Sequence, residues 1–261
     1  MERPDVGKFW EGNAEAWTHL SRAGYDVCRI SFNSPWFFRM LPVIAGKSGL
    51  DIGCGEGSNT RLLAERGAAM SAVDISETFI RHAQETENDS PLGIDYHIAS
   101  AESLPFGNET FDFATGFMSF MDMNQPAIAL KEAFRVIKPG GFLQFSISHP
   151  CFQTPKWRWI KNDAGRREAI VCGDYFSELQ GTIEEWTFGA APQEERDKYP
   201  KFRIPRFFFT LTSWFTMITD AGFCVERIQE PYPDDDQLAA YPSEYDARII
   251  AYFMHFLCRK T

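Results

Sequence analysis

The chain has 261 residues and is 44% hydrophobic, which is enough to fill the core of one large α/β domain or of a domain that carries an insertion. Asp and Glu exceed Lys and Arg by 36 to 26, and the resulting formal net charge of -10 disfavours nucleic acid as a partner. Six scattered cysteines without a CxxC pair, together with the lack of an apolar run of about 18 residues, predict a reduced cytoplasmic protein with neither a metal site nor a membrane span.

The first elements are predicted to be helical and then to alternate between strand and helix. Apolar residues at spacings of three and four predict helices over 13–40, within a helical cap over residues 1–45. The short apolar segment 49–52 is followed by a turn rich in glycine and then by a helical pattern. A second strand over 69–75 follows, and Ser76 is a natural N-cap for the next helix.

The alternation continues through the middle of the chain and resumes near its end. The further strands are predicted over 93–99, 111–116, 142–148, 224–229 and 249–258, with helices over 127–137 and 212–221. Strands separated by helices form parallel βαβ units, so we expect an α/β fold with a doubly wound, mostly parallel seven-stranded sheet.

One long segment interrupts this alternation. Residues 149–206 mix Trp, Gly, Pro and charged residues without a clear period, and we interpret them as an insertion after strand five that forms a lid. The predicted organisation is therefore a helical cap over 1–45, a core over 46–148 that carries the glycine turn, the lid over 149–206, and a helix with two strands over 207–261 that completes the sheet.

The glycine turn predicts a site for a ligand that contains a nucleoside. It reads Asp51-Ile52-Gly53-Cys54-Gly55-Glu56-Gly57, where missing side chains let a ligand approach the backbone and the helix N-terminus favours a carboxylate. The spacing is GxGxG, whereas dinucleotide sites have GxGxxG. Asp74, at the end of the second strand, is suited to accept hydrogen bonds from ribose hydroxyls. Its presence does not indicate which nucleoside binds.

Four sequence blocks, in order, make the chain similar to a known family. They read LDIGCGEGSNTRLLA, VDIS, ASAESLPFGNETFDFATG and LKEAFRVIKPGGFLQFSI, and a weaker fifth block is AGF followed by a strand and EP. On these motifs the chain resembles the class I S-adenosylmethionine-dependent methyltransferases, most closely the group of ubiquinone and menaquinone biosynthesis methyltransferases and their small-molecule relatives. The first strand departs from the family, because Lys47-Ser48-Gly49-Leu50 stands where apolar residues are usual.

The resemblance implies a Rossmann-like methyltransferase fold, S-adenosylmethionine as cofactor and S-adenosylhomocysteine as product. The residues that it implies around the cofactor are Asp51, Gly53, Cys54, Gly55, Gly57, Asp74, Ile75, Ser76, Ala101, Glu102, Phe117 and Met118. The glycine turn would line the methionine part, Asp74 would hold the ribose hydroxyls, and Ile75 would lie against the adenine. Ala101 and Glu102 would meet the adenine edge, and the residues after strand four would lie beside the cofactor.

Residues for catalysis and acceptor binding are predicted from position. His149 follows the fifth strand at the edge where open α/β sheets bind ligands, so it is the candidate general base or acceptor contact. The alternative is that His149 caps the strand end and bonds the backbone at the turn made by Pro150. The predicted lid residues, each with packing as an alternative role, are Trp17, Tyr25, Arg29, Tyr175, Trp186 and Arg206.

The predicted function is methyl transfer to a small molecule, with O-, N- or C-methylation undetermined. The Trp and Phe residues of the insertion favour an apolar or aromatic acceptor. One alternative is a nucleotide-dependent oxidoreductase, which the GxGxG spacing argues against. The other is a non-catalytic S-adenosylmethionine-binding protein, which the aromatic insertion argues against. We expect the chain to act as a monomer or homodimer.

Overall fold

The computed structural model describes residues 4–261 and has a seven-stranded sheet at its centre, with helices packed against it. In chain order the strands are β1 (Ser48–Ile52), β2 (Ala69–Asp74), β3 (Asp95–Ile98), β4 (Phe111–Phe117), β5 (Ile137–Ser148), β6 (Lys156–Lys161), β7 (Arg167–Gly173), β8 (Leu179–Trp186), β9 (Phe202–Phe208), β10 (Phe223–Gln229) and β11 (Phe253–Lys260). The α-helices are α1 (Val6–Arg22), α2 (Ser34–Met40), α3 (Ser58–Ala64), α4 (Glu77–Asp89), α5 (Pro126–Val136), α6 (Gln193–Arg196), α7 (Leu211–Asp220) and α8 (Asp235–Ala240). A π-helix covers Arg29–Asn33, and 3-10 turns cover Phe120–Asp122 and Pro242–Arg248.

The order of the strands across the main sheet is β10-β11-β5-β4-β1-β2-β3. All neighbouring pairs from β5 to β3 are parallel, and β11 runs antiparallel to both of its neighbours. This topology confirms the doubly wound, mostly parallel seven-stranded sheet that the sequence predicts. Because parallel strands point the same way, the residues that follow β1 to β5 share one edge of the sheet, where open α/β folds bind ligands.

Among the strands of the main sheet, the largest differences from the predicted boundaries lie at the start of β5 and at the start of β11, where strand pairing and a 3-10 turn override the local pattern. Helix α5 ends at Val136, and β5 begins one residue later at Ile137, which already pairs with Phe111 of β4. The last strand, predicted from residue 249, begins at Phe253, since a 3-10 turn precedes it.

The segment after β5 is an insertion, as predicted, but it has regular structure. Strands β6 and β7 form one antiparallel hairpin outside the main sheet, and β8 and β9 form another. Most of β6 and β8 is exposed or half-buried, so no buried face imposes an alternation of apolar and polar residues on their sequence. The second hairpin runs to Phe208, past the boundary expected at residue 206. Helix α1 packs against both α4 and β9, so the N-terminal helical cap links the core to this insertion.

Two clusters of buried apolar side chains hold the strands that end at the ligand-binding edge. Leu50 and Ile52 of β1 belong to one cluster, and Met70 and Phe113 belong to the other. A Cβ added to Gly49 would lie 2.3 Å from Cζ of Phe113, so the aromatic ring occupies the space that a larger residue would fill. This packing explains why β1 is stable although its sequence lacks the apolar residues usual in the family.

Lys260 ties the last strand to the end of α5, and its loss is expected to destabilise the fold. The side chain is buried, and its Nζ donates to the carbonyl oxygens of Phe134 and Ile137 at 2.8 and 2.7 Å. Lys260→Met leaves both carbonyls without this donor, so we expect the free energy of unfolding, measured with urea, to fall by about 2–3 kcal/mol. The control is Lys131→Met, an exposed change on α5, which should cost less than about 0.5 kcal/mol. Equal losses in the two variants would contradict this role for Lys260.

Candidate functional site

The carboxyl edge of the sheet opens into a cavity of about 1300 Å³. Its wall includes the glycine turn after β1, residues that follow β2, β3 and β4, helix α1, and residues from both hairpins of the insertion. The cavity therefore brings together the predicted cofactor region and the predicted lid.

Most of the predicted cofactor residues line this cavity. They are Gly53, Cys54, Gly55, Asp74, Ile75, Ala101, Glu102, Phe117 and Met118. The other three, Asp51, Gly57 and Ser76, are not part of the cavity wall and support it through contacts with neighbouring elements.

Asp51 connects three elements beneath the glycine turn. Its carboxylate is buried and accepts hydrogen bonds from Oγ1 of Thr60 at 2.7 Å and from Oγ1 of Thr115 at 2.8 Å. Burial raises the pKa of this carboxyl, while the two hydroxyls lower it. These bonds join β1 to α3 and β4, so in this structure Asp51 positions the turn.

Ser76 and Gly57 position the helices next to the cavity wall. Ser76 accepts a hydrogen bond from the N–H of Phe79 at 3.2 Å, which confirms it as the N-cap of α4, and its hydroxyl donates to the carboxylate of Glu11 at 2.6 Å. A Cβ added to Gly57 would lie 2.6 Å from Oη of Tyr96, so the missing side chain lets the start of α3 approach β3.

Asp74 shapes the part of the wall where ribose hydroxyls are predicted to bind. One carboxylate oxygen accepts a hydrogen bond from the N–H of Gly55 at 2.9 Å, and the other accepts one from the N–H of Ser76 at 2.9 Å. Burial raises the pKa of Asp74 to about 6, although these hydrogen bonds oppose the rise. Since each carboxylate oxygen has two lone pairs, both can accept a further hydrogen bond from a ligand in the cavity.

Ile75 and Met118 have features that are typical of ligand sites. Ile75 leaves 44% of its surface exposed at the end of β2, where it offers an apolar platform to the cavity. Met118 has a φ of 55°, and its N–H donates to Oγ of Ser146 at 2.9 Å. A non-glycine residue in this left-handed region is uncommon, and such strain concentrates at binding sites.

His149 does not line the cavity, because its ring is engaged elsewhere. Its Nδ1 accepts a hydrogen bond from the N–H of Cys151 at 3.2 Å, and its Nε2 donates to the carboxylate of Glu230 at 2.7 Å. Burial lowers the pKa of His149, although Glu230 raises it. These contacts match the alternative role that the sequence leaves open, a cap at the end of β5, and the structure does not bring His149 to the acceptor region.

Most of the predicted lid residues reach the cavity. Those in its wall are Trp17, Tyr25, Arg29, Trp186 and Arg206. The rings of Trp17 and Trp186 meet edge to face with their centroids 5.6 Å apart, which joins α1 to β8. The N-terminal helix and the second hairpin therefore form one continuous wall.

Arg206 and Tyr175 have structural partners. The guanidinium of Arg206 pairs with Glu184 at 2.7 Å and donates to the carbonyl oxygen of Thr154 at 2.8 Å, so it braces the insertion from within. Tyr175 is not part of the cavity wall, and its hydroxyl accepts a hydrogen bond from the N–H of Leu211 at 2.8 Å. The contacts of Tyr175 match its alternative role, which is packing.

The cavity wall includes polar residues that the sequence analysis does not single out, among them Asn59 and Asp122. Asn59, near the start of α3, is buried, and its Oδ1 has no hydrogen-bond partner among the residues that the structure describes. Asp122, in the turn after β4, also lines the cavity, and within residues 4–261 no hydrogen bond or ion pair reaches its carboxyl group. The sequence signal for Asp122 is a single acidic residue between Met121 and Met123, in the loop that follows a buried strand.

Replacing Asp122 with asparagine is expected to stabilise the protein increasingly as the pH rises. Burial, with a smaller contribution from the Glu184 carboxylate, raises the pKa of Asp122 from its ordinary 3.8 to about 8 in the folded protein. The stability that comes from retaining this proton is present below about pH 4 and is lost as the pH rises through 8. Asparagine has no such proton, so the Tm of the variant minus that of the wild type should grow between pH 4 and pH 8 in calorimetry. A difference that is independent of pH would contradict this prediction.

The part of the chain that the structure describes contains neither a candidate metal-binding cluster nor a candidate membrane-spanning helix. Among residues 4–261 there is no group of three or more His, Cys, Asp or Glu side chains placed to hold a metal ion. No helix within the same residues is long and apolar enough to cross a membrane.

Comparison with known families identifies the segment that carries the glycine turn. Residues 50–145, which run from β1 into β5, match a family described as a methyltransferase domain. The match includes the glycine turn, Asp74 and the residues after β4, and it leaves out α1 and the insertion.

Curated relatives match part of the chain. A ubiquinone biosynthesis O-methyltransferase of Pseudomonas fluorescens (strain Pf0-1) is 34% identical over 104 residues, which are 40% of this chain and 45% of the relative. A demethylmenaquinone methyltransferase of Tropheryma whipplei (strain Twist) is 31% identical over 153 residues, which are 57% of this chain and 63% of the relative. The chain thus spans about half the length of the curated relatives it matches.

Solved structures are similar over most of the chain. An S-adenosylmethionine-dependent methyltransferase from Mesorhizobium loti has a TM-score of 0.71 at 24% identity, covering 86% of this chain and 96% of that one. A second structure, described as a putative S-adenosylmethionine-dependent methyltransferase from Listeria monocytogenes, has a TM-score of 0.72 at 20% identity. The match covers 91% of this chain and 99% of that one. At these identities the likeness concerns the fold.

Proposed function

We propose that this chain, which carries a methyltransferase domain at residues 50–145 and has the fold of the class I S-adenosylmethionine-dependent methyltransferases, transfers a methyl group from S-adenosylmethionine to a small-molecule acceptor. The matched domain and the fold confirm the family resemblance that the motifs predict. The observation that carries the proposed activity is the cavity at the carboxyl edge of the sheet, where the glycine turn and Asp74 face an aromatic insertion.

The residues at this edge fit S-adenosylmethionine. Gly55 has a φ of 55°, and a Cβ added there would meet no protein atom within 4 Å, so open space lies where a ligand would approach the backbone. Asp74 would accept hydrogen bonds from the ribose hydroxyls, and Ile75 would contact the adenine. The Oδ1 of Asn59, which has no partner within residues 4–261, would accept a hydrogen bond from the cofactor's amino group. When bound, the cofactor supplies an electrophilic methyl group on a positively charged sulfur.

The other half of the cavity supports an apolar or aromatic acceptor. Its aromatic residues include Trp17, Trp157, Trp159, Trp186, Phe188, Phe207 and Phe208. Such a wall holds an apolar molecule and excludes water, so the chain's contribution to the reaction is chiefly the position of the acceptor. A cytoplasmic location and action as a monomer or homodimer remain parts of this proposal.

Isothermal titration of the purified full chain with S-adenosylhomocysteine tests the proposal. Micromolar binding, together with no response to NADH under the same conditions, supports it and argues against the oxidoreductase alternative. A lack of S-adenosylhomocysteine binding would overturn it. Binding without methyl transfer to any acceptor in a broad panel of small molecules would favour the non-catalytic alternative.

A further inference from the structure

Asp122 lies at the junction of the two halves of the cavity. Its turn follows β4, and Ser119 at the start of the turn donates to the carbonyl oxygen of Ile52 at 2.7 Å. A Cβ added to Gly53 would lie 2.5 Å from Cβ of the same serine, so the turn also covers the glycine turn. On its other side the turn packs against β9 of the insertion. A ligand group bound at Asp122 therefore lies between the cofactor region and the lid.

The protein itself provides no cation for the Asp122 carboxyl among the residues that the structure describes. The arginines of the cavity wall each lie against a different carboxylate, which pairs Arg29 with Glu56, Arg167 with Asp246, and Arg206 with Glu184. The remaining cation of the wall, Lys161, is exposed on the outer hairpin. The charge of an ionised Asp122 is left for a ligand to balance.

The surroundings of Asp122 make an unbalanced charge costly. Met121 and Met123 flank it and also line the cavity, together with Phe207 from β9. The nearby carboxylate of Glu184 is also negative, so it repels a negative charge on Asp122. An ionised carboxylate that is half-buried among apolar groups without a partner is unfavourable, and a bound cation offsets part of this cost. Burial raises the pKa of Asp122, as expected for a carboxyl group that lacks a partner.

We propose that the acceptor is an amine on an apolar or aromatic body, and that Asp122 holds its nitrogen and accepts its proton. This inference rests on the proposed function. In the proton transfer an N–H bond of the ammonium breaks and leaves its electron pair on nitrogen, while an O–H bond forms on Asp122. The nitrogen then has the free lone pair that a methyl acceptor needs. The acidic balance of the chain, with a formal net charge of -10, also favours a cationic ligand over an anionic one.

Two probes of equal size test this assignment: 2-phenylethylamine and 2-phenylethanol. Their dissociation constants are measured by saturation-transfer NMR on the full chain, with and without S-adenosylhomocysteine. We expect the amine to bind the wild type at least about 10-fold tighter than the alcohol, in line with a hydrogen-bonded charge pair. In Asp122→Asn the preference should fall to within about 2-fold, with alcohol binding unchanged.

The matched control is Asp220→Asn, which removes the same charge at an exposed position at the end of α7. It should keep the full preference for the amine. Equal binding of the two probes, a preference for the alcohol, or an amine preference that survives in Asp122→Asn would each overturn the inference. If S-adenosylhomocysteine still binds in those cases, the proposed function stands. If S-adenosylhomocysteine does not bind the wild type, both proposals fall.

Discussion

Replacing Asp74 with alanine is expected to weaken the binding of S-adenosylhomocysteine about 100-fold. The Asp74 carboxylate holds the N–H groups of Gly55 and Ser76 at 2.9 Å each, and its remaining lone pairs are available to the ribose hydroxyls. Hydrogen bonds to a charged group each contribute about 1.5–3 kcal/mol, and about 2.7 kcal/mol corresponds to the 100-fold loss. Isothermal titration of the two proteins measures this ratio.

Two further variants separate ligand binding from support of the turn. Asp74→Asn keeps one side-chain oxygen as an acceptor. Its affinity for S-adenosylhomocysteine should therefore lie between those of the wild type and the alanine variant. Asp95→Asn removes an exposed carboxylate at the opposite end of β3 and should leave the affinity unchanged. An alanine variant that keeps its Tm and its full affinity would show that Asp74 does not contact the nucleoside.

Replacing Gly55 with alanine is expected to weaken the binding of S-adenosylhomocysteine about 30-fold. The added methyl group enters the open space beside the turn, where the methionine part of the ligand is proposed to approach the backbone. The positive φ of 55° also strains an alanine, which costs about 1–2 kcal/mol of stability. Titration gives the change in affinity, and thermal melting gives the change in stability.

Gly46 provides a matched control for this change. It has a φ of 76°, and a Cβ there would also meet nothing within 4 Å, but Gly46 does not line the cavity. Gly46→Ala should therefore lose a similar amount of stability and bind S-adenosylhomocysteine normally. Equal affinities for the two variants would mean that the ligand does not approach the backbone at Gly55.

The elements of the main sheet and the position of the glycine turn are the parts of this molecule that local sequence patterns predict well. The spacing of apolar residues predicts the strands and helices of the main sheet, because period two and period 3.6 follow from backbone geometry alone. Glycines with positive φ, such as Gly53 and Gly55, have to stand where the chain turns from β1 into α3. Asp74 is predictable for a similar reason, since the end of a parallel strand is a fixed position relative to the turn.

The insertion shows where local patterns stop being informative. Its hairpins are paired strands, yet neither β6 nor β8 has a buried face. No regular alternation of apolar and polar residues therefore marks these two strands in the sequence. Only the position of the segment after β5 predicts a lid. The contact between Trp17 and Trp186, which closes the wall, joins residues that are far apart in the chain.

Individual polar side chains depend on contacts that no local pattern contains. His149 occupies a suitable position in the sequence, but Glu230 and the turn at Cys151 occupy both of its ring nitrogens. No sequence pattern marks Asp122, but its turn packs between the glycine turn and β9, and no group within residues 4–261 pairs with its carboxyl. The strands and helices of the main sheet and the place of the glycine turn thus follow from backbone geometry, which is local, whereas the order of the strands is set by long-range pairing. The partners of each polar group follow from long-range packing.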